Sequence, residues 1–331
     1  MIKNMQHIKI AFFCFLIFTF SKAWADAIAE DSYASRVEII PFQTLNLTDE
    51  QILKGDKNGT AVTIAGELRL PRDSKIQKFP VAIIVHGSGG INAGNESWDY
   101  QLNAAGIATF KIDGFSGRGL TIVSNDQGRL ARFAGVIDIF RADELLAKHA
   151  RIDPNKIVLI GASRGGTAVI YAALKRLQQS WSPGFRAAAT YPFYPSCFDK
   201  VDGDEDVTMP IHEFHGDMDD YASIEQCKAW IQRLSSKGSV ATSVEYKNAA
   251  HSFDNVLASS TPTVGKGSQS ARNCHVFEQL GVLINSETQK PFTYTDSCVT
   301  LDPKTGFNLE ATLESHKAVI EDLRRLFFKT N

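Results

Sequence analysis

Two unbroken apolar runs, Val-Ala-Ile-Ile-Val at 81–85 and Ile-Val-Leu-Ile at 157–160, constrain the fold of this chain more than any other feature. A strand with one wet face alternates apolar and polar side chains, so a run with no polar position is a strand buried on both faces. Such strands need helices above and below them. The sequence supplies helical periodicity at 97–105, 129–149, 167–177, 224–234 and 309–328, between further strand-like runs at 107–112, 187–191, 211–215 and 244–246. Strand and helix in alternation predict an α/β chain with a mostly parallel central sheet and helices on both faces. The alternating stretch 62–70, which stops at Pro71, is expected at a sheet edge. Residues 252–307 break the rhythm. They are rich in Ser, Thr, Gly and Asn and read as an excursion from the core.

The chemistry sits where that alternation turns. Gly161-Ala162-Ser163-Arg164-Gly165 follows the second apolar run and opens the helix near Thr167. G-x-S-x-G between a strand and a helix is the setting of a nucleophile elbow, a turn so tight that flanking side chains would strike neighbouring backbone. Ser163 is then thrust out at the strand end, beside the N–H groups and positive dipole end of the helix. A phosphate-binding loop would need Gly-Lys-Ser/Thr or G-x-G-x-x-G at this point, and neither occurs. After the first apolar run come His86-Gly87-Ser88-Gly89-Gly90, whose glycines let backbone approach a ligand. The backbone N–H groups of Ser88 and Arg164 are the expected pair of oxyanion donors. His86 is expected to pin its own loop.

A serine nucleophile needs a base and a carboxylate behind it. His251, in the loop after 244–246, follows the last predicted strand, and the stretch 212–220 ends a strand with Asp217, Asp219 and Asp220. The order serine, aspartate, histidine along the chain is that of a strand-end triad. A metal site at 212–220 is the rival. His212 and His215 are three apart, which is not H-E-x-x-H, and on a strand they point to opposite faces. The acidic turn 202–206 has no EF-hand spacing. No metal and no cofactor is expected.

Leu70-Pro71, His86-Gly87-Ser88-Gly89-Gly90, Gly161-Ala162-Ser163-Arg164-Gly165-Gly166, His215-Gly216-Asp217-Met218-Asp219-Asp220 and Ala250-His251-Ser252-Phe253 together resemble the dienelactone hydrolase family of α/β-hydrolases. The likeness runs from about residue 62 to the terminal helix. It implies the α/β-hydrolase fold and a catalytic triad of Ser163, Asp219 and His251. The family pattern places the acid three residues past the Gly of His-Gly, which selects Asp219, with Asp217 as the fallback. The segment from Asp113 to Gly119 resembles Asp-x-Phe-x-x-Arg-Gly of exported members, where the Arg lines or braces the site. The family's namesakes carry a cysteine nucleophile. Serine here implies carboxylesterase-like cleavage of a small-molecule ester. A peptidase or amidase with the same triad, and a catalytically silent binding scaffold, are the alternatives.

Lys3, His7 and Lys9 precede an apolar run at 10–20 that ends in Ala23-Trp24-Ala25. Charged start, short apolar middle and Ala-x-Ala end predict a secretory signal over 1–25, leaving 26–331 as a single α/β-hydrolase domain with no stable membrane anchor after cleavage. Export to the periplasm or beyond favours disulfides between the four remaining cysteines. Of the three pairings, Cys197–Cys227 and Cys274–Cys298 are expected, the second tying the excursion. Net charge is −2 with both signs spread along the chain, so no nucleic-acid partner is expected.

Overall fold

A computed structural model describes residues 36–72 and 77–328. The expected signal at 1–25 lies outside the described residues. The described residues from 39 onward form one compact unit, which carries the architecture.

An eight-stranded sheet forms the middle, in the order β1 (Val37–Asn46), β2 (Thr60–Arg69), β4 (Ala108–Asp113), β3 (Phe79–Val85), β5 (Ile152–Ala162), β6 (Thr190–Phe193), β8 (Ile211–Gly216), β9 (Ala241–Tyr246). From β4 to β9 every neighbouring pair is parallel, and β2 runs antiparallel to β4. The stretch predicted for an edge is therefore second from the edge. β1 covers it, and the alternation at 37–46 around Pro41 is the signal that the expectation passed over.

The unbroken apolar runs are buried as their composition requires. Val81, Ile83, Val85, Ile157 and Leu159 face a core made with α3 (Ala134–Leu146) and α4 (Arg164–Ala172). Their alternates Ala82, Ile84, Val158 and Ile160 face a second core with α2 (Ala93–Ala104) and α7 (Leu309–Phe327). Each fully buried Ile or Val contributes about 1.5–3 kcal/mol, so β3 and β5 anchor everything attached to their ends.

Two predicted helices are cut. The helix expected at 129–149 starts at Ala134, and the one expected at 167–177 divides into α4 and α5 (Lys175–Trp181). Leu174 is extended between them because the loop at 206–208 intrudes. Lys175 N–H donates to the Asp206 carbonyl, and Thr208 N–H donates to that of Ala173.

The excursion holds a hairpin, β12 (Val276–Gln279) with β13 (Val282–Asn285), and β12 also pairs in parallel with β7 (Asp199–Lys200). Two-residue ladders, β10 (Thr263–Val264) with β15 (Lys304–Thr305) and β11 (Gln269–Ser270) with β14 (Thr300–Leu301), close its base. Cys274 is bonded to Cys298 within it, and Cys197 to Cys227 of α6 (Ile224–Ser236). Two disulfides fit an oxidising, exported compartment. Among the described residues no helix is long and apolar enough to cross a membrane.

Candidate active site

Ser163 stands between β5 and α4 with φ 55°, ψ −117°, a left-handed backbone that a side chain-bearing residue rarely adopts. The surroundings impose it. A Cβ at Gly161 would lie 2.2 Å from the Gly165 carbonyl oxygen, and one at Gly165 would lie 2.1 Å from that of Val85. The two glycines let β5, β3 and α4 pack closely enough to fold the serine outward. Its own N–H is held by the Phe193 carbonyl of β6 at 2.9 Å.

His251 arrives from the loop after β9 and puts Nε2 2.9 Å from Ser163 Oγ. Its Nδ1 lies 2.7 Å from Asp219 Oδ2. Tyr194 and Tyr221 pack against the imidazole, with ring centroids 4.7 and 4.5 Å away. Asp219, in the loop after β8, spends its other oxygen on the backbone N–H groups of Tyr221 and Ala222, each at 2.8 Å. Burial alone would raise this carboxyl. The charge on His251 and hydrogen bonds from His215 and His251 outweigh that and hold it well below the usual carboxylate range. Asp217 faces Lys247 at 3.4 Å, and Asp220 accepts the N–H of Lys304, so of the three aspartates only Asp219 meets the histidine.

Arg164 follows Ser163 as the first residue of α4, so its N–H has no acceptor one turn back within the helix. The loop carrying Ser88 lies close by: a Cβ on Gly87 would sit 3.7 Å from Ser163 Oγ. The Ser88 hydroxyl donates to Gln127 Oε1 at 2.8 Å, and the Arg164 guanidinium donates to the same oxygen at 2.9 Å. Gln127 thus ties the loop of Ser88 to the start of α4, the two places that carry the expected oxyanion donors. Sequence reasoning missed it, because a lone Gln in a polar loop has no local signature.

Behind this front, His86 donates from Nδ1 to the Gly87 carbonyl and accepts the Gly114 N–H at Nε2. Burial lowers its pKa, which keeps the acceptor nitrogen free of a proton. Arg118 braces the same turn. It donates to the Gly114 carbonyl at 2.7 Å and makes two 2.8 Å bonds to Asp138, with both side chains buried.

A cavity of about 40 Å³ lies over Ser163, lined in part by Ser88, Gln127, Tyr221, Gln269 and Tyr294. Gln269 and Tyr294 come from the excursion, which therefore covers the site. The aromatic stretch 191–195 does not line this cavity. Tyr191 is buried in the core with its hydroxyl on Asp322, and Tyr194 backs His251. The acidic turn is tied up in ion pairs, Asp204 and Glu205 with Arg233 and Glu205 with Lys237. Glu213, His215 and Cys227 cluster like metal ligands, but the Cys227 sulfur is bonded to Cys197.

Residues 64–281 match the Dienelactone hydrolase family. The chain belongs to the dienelactone hydrolase family. It is thereby a hydrolase of the α/β-hydrolase fold, and the solved structures agree on that fold. This family member is similar to a dienelactone hydrolase-like promiscuous phosphotriesterase from metagenomic libraries, at 17% identity and TM-score 0.57, covering 87% of this chain and 98% of that one. It is similar also to a Klebsiella pneumoniae protein assigned to the dienelactone hydrolases, at 12% identity and TM-score 0.53, covering 87% and 99%. No curated protein sequence matches it closely enough to count as a relative.

Proposed function

We propose that this chain is an exported serine esterase that hydrolyses small carboxylic esters through an acyl-enzyme on Ser163. The carrying observation is the hydrogen-bonded line from Ser163 Oγ through both nitrogens of His251 to Asp219. In the proposed reaction Ser163 Oγ attacks the ester carbonyl while His251 Nε2 takes its proton. The negative charge that develops on the carbonyl oxygen is met by the N–H groups of Ser88 and Arg164, each such donor being worth about 3–4 kcal/mol. His251 then returns the proton to the departing alcohol. Water attacks the acyl-enzyme with the same histidine as base, freeing the acid and restoring Ser163. Asp219 holds the imidazole tautomer and stabilises the imidazolium.

The cavity's small volume favours a short acyl group over a long alkyl chain. The deciding experiment is hydrolysis of p-nitrophenyl acetate and butyrate by residues 26–331, beside Ser163→Ala. Acetate is expected to be the better substrate, and the variant to lose at least about 10³-fold in kcat with unchanged circular dichroism. Labelling of the parent but not the variant by a fluorophosphonate would place the covalent step on Ser163. Equal rates in both proteins would end the proposal.

A further inference from the structure

The triad carboxylate has a second histidine behind it. His215 Nε2 lies 3.2 Å from Asp219 Oδ2, the same oxygen that faces His251. His215 Nδ1 lies 2.7 Å from Glu213 Oε1, and the Ser243 hydroxyl of β9 donates to the other oxygen of Glu213. The side chains of Glu213, His215 and Asp219 are all shut off from solvent. Glu213 and His215 are two apart on β8 and therefore share a face.

We propose that His215 is a positioning residue of the hydrolytic site: wedged between Glu213 and Asp219, it fixes the carboxylate behind His251 and offsets part of its charge. This rests on the serine-hydrolase reading of the site. Acceptors surround both nitrogens of His215: Glu213 at Nδ1, and Asp219 with the more distant Ala222 carbonyl at Nε2. An imidazole that meets a carboxylate at each nitrogen satisfies both by carrying two protons. Burial opposes that charge, but the hydrogen bonds to Asp219 and Glu213 and their charges outweigh it and push His215 up to about 10. The remaining neighbour from α6, Cys227, is in a disulfide and does not titrate. Around His251 the facing groups are Ser163, Asp219, Tyr194 and Tyr221, with Asp254 engaged by the Tyr194 hydroxyl. The buried line thus carries alternating charge, and Glu213 with His215 together add none.

That cancellation makes the proposal testable by sign. His215→Gln leaves Glu213 as an uncancelled negative charge behind Asp219. It favours the protonated form of His251, so the acid limb of the kcat/KM profile moves up by on the order of one pH unit, about a 10-fold loss at pH 6 relative to pH 8. Glu213→Gln leaves His215 as an uncancelled positive charge and moves the limb down. The double variant brings it back toward the parent. Parallel profiles with a uniform loss of rate would overturn the proposal and leave the esterase reading intact, whereas a parent that hydrolyses no ester fails that reading instead. If either single variant does not fold, proton NMR of the Ser163→Ala protein serves. Two slowly exchanging His215 ring N–H signals that persist from pH 5 to 9 are expected, and loss of one below pH 8 overturns the proposal.

Discussion

The sheet that carries the candidate triad and the excursion that covers it are held by different physics. β3, β5 and β8 are flanked on both sides by parallel neighbours and buried on both faces, and the three candidate triad side chains hang from strand ends or the loops just after them. The excursion has strands of two to four residues and a disulfide across its middle, and it reaches the core through a handful of side chains such as Val276 and Leu283. A core built by burial fixes positions to fractions of an ångström, because close-packed side chains have nowhere to go. A cover with so little to bury borrows order from a cross-link and from polar ties to its neighbours, such as Gln127 N–H on Gln269 and Gln269 N–H on the Ser124 carbonyl.

The contrast is broken most severely at Gly165. A Cβ there meets the Val85 carbonyl at 2.1 Å, backbone against backbone, so Gly165→Ala must separate α4 from β3. We expect a loss above about 4 kcal/mol, or failure to accumulate folded protein, measured by urea unfolding. A stable, active Gly165→Ala would mean that the elbow does not depend on this contact. The cover should respond differently. Replacing Cys274 and Cys298 together by serine removes a link across 24 residues, worth about 3 kcal/mol in the chain-entropy account. The expected readout is faster proteolysis and hydrogen exchange within 252–307, while protection of β3 and β5 is unchanged. A loss of protection spread evenly over both regions would erase the distinction.

The smallest effect tests the core face that α7 closes. His316 is buried against Trp98, with Nδ1 held by the Gln101 amide and Nε2 without a partner, and burial pushes it down to about 4. A histidine whose folded pKa lies below its unfolded value favours folding in its neutral form. This contribution is therefore complete above about pH 6.5 and is lost as pH falls toward 4. At pH 5 the loss is at most about 2 kcal/mol. His316→Gln should flatten the acid side of the stability profile, and an unchanged slope would exclude this residue as its source.

What could be read from the sequence follows the same division. Continuous apolar runs announce buried strands without knowledge of their partners, and Ser163 and His251 stand out by strand ends, glycines and chain order, whereas the choice of Asp219 over Asp217 comes from the family resemblance. The contacts of Gln127 with Ser88 and Arg164 join loops 39 and 37 residues apart, and no window of sequence holds both ends. The break at Leu174 is invisible for the same reason: its cause is the loop at 206–208. The pair Glu213–His215 was within reach. Two polar residues at alternate positions of a strand, on a face otherwise expected to be apolar, ask for a buried partner, and Asp219 lies four residues on.

Ser163 and His251 are 88 residues apart in the chain and 2.9 Å apart in space, and the strand that delivers the histidine, β9, is the last one laid on the sheet. A ribosome that has made the first 240 residues has produced the elbow, the loop of Ser88 and the aspartate, yet no base within reach of the serine. With the proposed triad, the folding chain is silent by geometry until its final sheet strand has docked, and the onset of turnover becomes a clock for the completion of folding.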